Sequence, residues 1–324
     1  MPLIASRGSG SAQGLGFSVF AGGGGVATVG IFALGPISSS SSGSNIRNKY
    51  TFATCASTAC GVGVSSCTSA GGAAAGNSTR IIFQLGRSLA TRNKYTYATC
   101  ASTSATPNCS AANNGYGVGN STRGIFTLGS SYSDRRNVYT YATDTSVAVF
   151  NMLYSGTFAG YGTGNSTRAI IQIGIIGSTS TKREKYTYAC CTSTCSGVAS
   201  SSVANAWGAA QGTSTQGIFQ IGYKSNCATQ QGDFRSNKYT YATCTSVSGA
   251  CATYFMGFSS AAGNDTRGIF ALGQRACTFG CDRITASRCK YTYATNTRTM
   301  GGVGTASTNS YYGAAASFQT CVNS

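Results

Sequence analysis

The sequence predicts an all-β protein: a six-bladed β-propeller of four-stranded antiparallel blades. Three observations carry that reading. Two short motifs alternate six times along the 324 residues. Their spacing stays within the forties to low fifties, the range of propeller blades. Charged residues make up only 9%, while Ile, Phe and Tyr recur on schedule, which a disordered chain does not show.

The first motif is GIFALG (30–35), IIFQLG (81–86), GIFTLG (124–129), AIIQIG (169–174), GIFQIG (217–222) and GIFALG (268–273). The second is KYTFAT (49–54), KYTYAT (94–99), VYTYAT (138–143), KYTYAC (185–190), KYTYAT (238–243) and KYTYAT (290–295). From Gly35 through Gly86, Gly129, Gly174, Gly222 and Gly273 the steps are 51, 43, 45, 48 and 51 residues. The motifs keep their length and the segments between them do not, as expected of packed strands joined by surface loops.

The unit at 114–152 shows how residues become strands. Tyr116 to Gly119 leads into the turn-prone Asn120, Ser121 and Thr122. Ile125 to Leu128 form an apolar strand that Gly129 ends, and a polar loop at 130–136 follows. Tyr139 to Thr143 alternate Tyr with small residues, the period of a strand. A weaker strand near Val147 to Leu153 completes a four-stranded meander. Both faces of the I-F-x-L strand are free of charge, which fits a sheet covered on both sides by neighbouring blades.

Residues 1–15 are Gly/Ser-rich, fit no unit, and are expected to form a flexible arm ahead of a single propeller over 16–324. A ring must join its last blade to its first or leave two open edges. SYYGAAASF (310–318) matches the first strand of a unit, as in GGAAAG (71–76). A strand at about 311–319 is therefore the favoured closure, with GFSVFAGG (16–23) as the competing one.

The cadence resembles kelch-type propeller repeats over about 17–320: an apolar strand ending in glycine, a loop, then a Tyr-bearing strand. It departs from them in lacking the glycine pair and in having a single tryptophan, Trp207. The opening MPLIASRGSGSAQGLGF and the NSTRGIF…KYTYAT cadence resemble kelch-like proteins of tailed bacteriophages, thought to belong to the virion. That resemblance implies a non-catalytic structural protein in a tail fibre, baseplate or capsid-decorating role. Its partners would be other virion proteins in an oligomeric assembly, or a glycan of the host surface.

The chain carries 23 Lys and Arg against 6 Asp and Glu, a net charge of +17. Arg80, Arg123, Arg168 and Arg267 recur just after the first turn, and Arg47, Arg92, Arg136, Arg183, Arg235 and Arg288 recur before the Tyr strand at the opposite rim. The expectation is solvated loop ends, with the first set and Trp207 as candidate surface-binding residues. Nucleic acid is disfavoured, because no dense basic stripe interleaves with aromatics.

Of 15 cysteines, Cys55, Cys100, Cys191 and Cys244 directly follow the Tyr strand, where the other two units have Asp144 and Asn296. Cys60 or Cys67, Cys109, Cys195 and Cys251 follow as candidate disulfide partners, and Cys227, Cys277, Cys281 and Cys289 are placed in the opposite-rim loops. Cysteine this dense is ordinarily an extracellular feature. Zinc is disfavoured, because Cys191/Cys195 and Cys277/Cys281 are isolated pairs without histidine.

The absence of histidine removes Ser-His-Asp and Cys-His catalysis. The six acids, Asp134, Asp144, Glu184, Asp233, Asp265 and Asp282, scatter over several units and repeat at no catalytic offset. The reading is no enzyme and no cofactor, with a carbohydrate-binding propeller and a propeller glycosidase as the alternatives. No segment reaches the ~18 apolar residues of a membrane span, and Phe17 to Ala21 is too short for a secretory core. The expected location is a virion assembled in the host cytoplasm.

Overall fold

A computed structural model describes residues 28–33, 46–59, 72–86, 90–107, 115–129, 135–150, 154, 159–223, 234–251, 257, 259–271, 273–275, 283–306 and 314–317. Among them are strands and turns and no helix. Six four-stranded antiparallel sheets form the blades of a β-propeller. The expected 1–15 arm and the competing closure strand at 16–23 lie outside the described residues.

Blades two to six each take their strands in chain order from the channel outward. The second blade, for example, runs Ala73–Gly76, Arg80–Gln84, Arg92–Thr96 and Ala101–Ala105. The first blade takes Val29–Ala33, Arg47–Thr51 and Ala56–Ala59 from one end of the chain and Ala314–Ser317 from the other. Ala314–Ser317 pairs antiparallel with Gly30 to Ala33 as the inner strand. It also touches Ser260–Gly263 of the sixth blade and Ala73–Gly76 of the second, so the circle of inner strands is complete.

The I-F-x-L strand is the core of every blade. Ile31, Phe32, Ile82, Phe83, Phe126, Ile170, Ile171, Ile218, Phe219, Ile269 and Phe270 are all sealed from solvent. Burying each such side chain contributes ~1.5–3 kcal/mol. The glycine that opens this strand in the third, fifth and sixth blades has a steric cause. A Cβ on Gly124, Gly217 or Gly268 would stand 2.8–2.9 Å from the hydroxyl of Tyr141, Tyr241 or Tyr293 on the neighbouring strand. In these three blades the second tyrosine of Y-T-Y leaves no room for a Cβ at that position, whereas the second and fourth blades carry Ile81 and Ala169 there together with Tyr97 and Tyr188.

The two rims differ. On one, the turn between inner and second strand has three residues in five blades: 77–79, 120–122, 165–167, 213–215 and 264–266. The turn between third and outer strand has four residues in all six: 52–55, 97–100, 141–144, 188–191, 241–244 and 293–296. On the other rim, the links between second and third strand run from seven residues (85–91) to sixteen (272–287). The links from one blade to the next run from ten (151–160) to fourteen (195–208). All length variation falls on one side of the ring.

Candidate functional site

Strand alternation sets what each blade shows its neighbours. In R-N-K-Y-T-Y, the Arg, Lys and Thr face the following blade, and the Asn and the tyrosines face the preceding one. Arg47, Arg92, Arg136, Arg183 and Arg288 are at most 2% exposed, not solvated loop ends. Each guanidinium crosses the junction and lies on an aromatic ring. Arg47 stands 4.6 Å from Phe83, Arg92 4.6 Å from Phe126, Arg183 4.4 Å from Phe219 and Arg288 4.4 Å from Phe32. Arg136 meets Ile171 where the other blades have Phe, so it lies over Tyr186 and pairs with the buried Glu184.

Hydrogen bonds complete each junction. Arg183 Nη2 donates to Asn237 Oδ1 and Nη1 to Ser246 Oγ, both at 3.0 Å. Arg92 donates to Ser146 Oγ at 2.7 Å and Arg136 to Ser193 Oγ at 2.6 Å. Burial lowers the guanidinium pKa of Arg47, Arg183 and Arg288 to about 10, so each stays charged at neutral pH. The ring quadrupoles and these acceptors offset that desolvation. Replacing Arg288 by Met is expected to cost ~3 kcal/mol, a fall in Tm of about 4 °C, because Asn48 Oδ1 and the carbonyls of Gly304 and Thr305 lose their donor. Arg288→Lys should recover less than half, since an ammonium cannot lie flat on the ring and fork to those acceptors; thermal denaturation reads both.

The fifth blade breaks the pattern and the sixth repairs it. Ser236 stands where the other blades have the stacking arginine. Arg298, on the outer strand of the sixth blade, fills the gap from the other side. Its guanidinium is 4.9 Å from Phe270 and 5.7 Å from Tyr291, and it donates to Gln220 Oε1 of the fifth blade. Cys289 replaces the usual Asn beside it. This residue is a fully buried third-strand side chain, not a loop cysteine, and burial pushes its thiol pKa up.

The tight-turn rim has its own repeated joints. Asn77 Oδ1 accepts from the backbone N–H of Thr79 and Arg80, while its amide donates to Ser121 O of the next blade at 3.1 Å. Asn120 and Asn165 do the same toward Ser166 O and Ser214 O. The first set of arginines reaches the four-residue turn of the following blade. Arg80 pairs with Asp144 at 3.0 Å, and Arg123 donates to Tyr188 O at 2.9 Å. Arg168 donates to Tyr241 O at 3.5 Å and Arg267 to Phe52 O at 3.2 Å. These arginines are half-buried and share one place in the repeat, but they are distributed around the ring and not gathered into a patch. Trp207 is half-buried on the other rim, its ring edge-on to Tyr223 at 6.1 Å and its backbone N–H donating to Ala159 O at 2.9 Å. Tyr154 lies there beneath Lys182, while Tyr223 is buried.

None of the eight described cysteines is in a disulfide. The expected local pairs Cys191/Cys195 and Cys244/Cys251 are therefore not disulfides. The reason is orientation: Cys191 Sγ and Cys244 Sγ turn inward onto the carbonyls of Tyr188 and Tyr241 at 3.7 Å, whereas Cys195 and Cys251 face solvent. Cys55 and Cys100 make the same contact with Phe52 O and Tyr97 O. Their candidate partners Cys60, Cys67 and Cys109, and also Cys277 and Cys281, lie outside the described residues. Of the acids, Asp144 and Glu184 are held in ion pairs, and burial raises the pKa of Asp265.

These features define a β-propeller whose blades are joined by buried guanidiniums stacked on aromatic rings and whose connecting loops are gathered on one rim. No family model and no curated protein matches the chain. Among solved structures the fold is widespread, with 439 matching chains, so the likeness identifies an architecture and not an activity. One of them, described as the structure of YjhT, has a TM-score of 0.50 and 10% identity over 62% of this chain and 72% of that one.

Proposed function

We propose that this propeller is a non-catalytic attachment scaffold of a tailed-phage particle, in a tail fibre, baseplate or capsid-decorating position. The observation that carries the reading is the asymmetry of the rims. The tight-turn rim directs the amides of Asn77, Asn120 and Asn165 and the arginines Arg80, Arg123, Arg168 and Arg267 into inter-blade joints. The opposite rim bears every link of variable length, and binding residues concentrate on loops held by a rigid frame. That rim would contact other virion proteins or the host envelope. The phage setting rests on the resemblance of the opening MPLIASRGSGSAQGLGF and of the NSTRGIF…KYTYAT cadence.

Mass spectrometry of purified particles tests the setting, and absence of the chain from them rejects it. The face is tested separately. Exchanging residues 224–233 for a short Gly/Ser turn, which spares the buried Ile221 and Tyr223, is expected to abolish attachment while leaving Tm within a few degrees. Loss of attachment on altering the tight turn 120–122 instead would reverse the assignment.

A further inference from the structure

The last residue of the four-residue turn is in the left-handed region in all six blades: Cys55, Cys100, Asp144, Cys191, Cys244 and Asn296, with φ between 51° and 56°. In two blades this residue also receives the hydroxyl of the first tyrosine of its own Y-T-Y: Tyr139 donates to Asp144 Oδ1 at 2.8 Å, and Tyr291 donates to Asn296 Oδ1. In the third blade the position is an anion site. Asp144 is bridged by Arg80 at 3.0 Å and by Lys94, both from the preceding blade. Burial opposes ionisation there, but the bonds from Lys94 and Tyr139 and the charges of Lys94 and Arg80 hold the carboxyl pKa below its usual value.

Two other junctions present the same cations to a cysteine. Arg267 and Lys290 hold the register places of Arg80 and Lys94, and Arg267 Nη1 is 3.3 Å from Cys55 Sγ. Arg168 and Lys185 hold them at Cys244, with Arg168 donating to the same carbonyl that Cys244 Sγ faces. Neither junction has an ion pair among the described residues. The remaining two cysteines have one cation of the two. Cys191 has Arg123 but Val138 in the lysine place, and Cys100 has Lys49 but Val29 in the arginine place.

We propose that Cys55 and Cys244 are oxidation sites whose sulfinate completes the Arg–Lys anion site that Asp144 completes in the third blade. A sulfinate has the branching and charge of an aspartate at the same distance from the backbone. The oxidant is a hydroperoxide. Sulfur attacks the terminal peroxide oxygen, the O–O bond breaks, and water or an alcohol leaves with the sulfenic acid as product. A second equivalent gives the sulfinic acid, whose proton goes to solvent. Each step oxidises sulfur by two electrons and reduces one peroxide. The product locks each junction to the preceding blade through two charge-assisted contacts.

The full-length protein, treated with graded hydrogen peroxide, alkylated and mapped by peptide mass spectrometry, tests this. Sulfinate should accumulate at Cys55 and Cys244 several-fold over Cys100 and Cys191, which share the same turn and degree of burial. Equal accumulation at all four overturns the proposal. Independently, Cys55→Asp should melt about 2 °C above Cys55→Asn, since both side chains suit the left-handed turn and differ only in charge. An aspartate variant that melts at or below the asparagine variant overturns it as well.

Discussion

Removal of residues 307–324 is expected to abolish cooperative folding. Four backbone pairings vanish with Ala314–Ser317, and the strand carrying Ile31 and Phe32 becomes an open inner edge. The loss spreads, because the same strand abuts the inner strands of the second and sixth blades. Each backbone group left buried without a partner costs ~1–3 kcal/mol. Several of them, together with the exposed apolar surface, reach the 5–15 kcal/mol that typically holds a domain folded. The unpaired edges would also template aggregation. Circular dichroism melts and size-exclusion chromatography read the result. A truncated chain that stays monomeric and melts within a few degrees of the full one would show that Ala314–Ser317 does not hold the ring.

Arg298→Ser should destabilise the protein by ~3 kcal/mol, and the triple variant Ser236→Arg, Cys289→Asn, Arg298→Ser should restore most of that loss. The single change removes the cation from Phe270 and Tyr291 and the donor from Gln220 Oε1, and leaves a gap between two blades. The triple change installs at the fifth-to-sixth junction the Arg–Asn–Ser set found at the first-to-second and fourth-to-fifth junctions. Ser236→Arg alone should also destabilise, since two guanidiniums would compete for one slot and repel. The coupling among the three positions is then ~2 kcal/mol or more, within the range of residues in one network. Denaturant titrations of the triple variant and of the singles Ser236→Arg, Cys289→Asn and Arg298→Ser measure it. A triple variant no more stable than Arg298→Ser would mean that the slot belongs to Arg298 for some other reason.

The repeat made the blades legible because each strand is written in its own short run. I-F-x-L and Y-T-Y are local patterns of period two, and their order gives the meander directly. The tyrosines of the third strand were readable as packing residues for the same reason. The arginines were misread because a charge at the end of a strand ordinarily meets water. The available signal was the two-residue alternation of R-N-K-Y-T-Y, which puts Arg47 and its equivalents on a blade face and not at a tip. The cysteines were misread because closeness in sequence says nothing of which way a left-handed turn aims its side chain. Cys191 and Cys244 point to carbonyls of their own turns.

By itself the sequence determined the number of blades, the strand order within each and the absence of imidazole chemistry, since these follow from local pattern and composition. Tertiary structure alone decided that five arginines cross between blades, that Arg298 replaces the one missing at Ser236, and that Asp144 marks an anion site shared in outline by Cys55 and Cys244. Each of these depends on contacts between residues roughly a full repeat apart or, across the closure, more than two hundred residues apart. Only closing the ring brings such residues within the few ångströms over which a guanidinium, an aromatic face and a side-chain acceptor select one another.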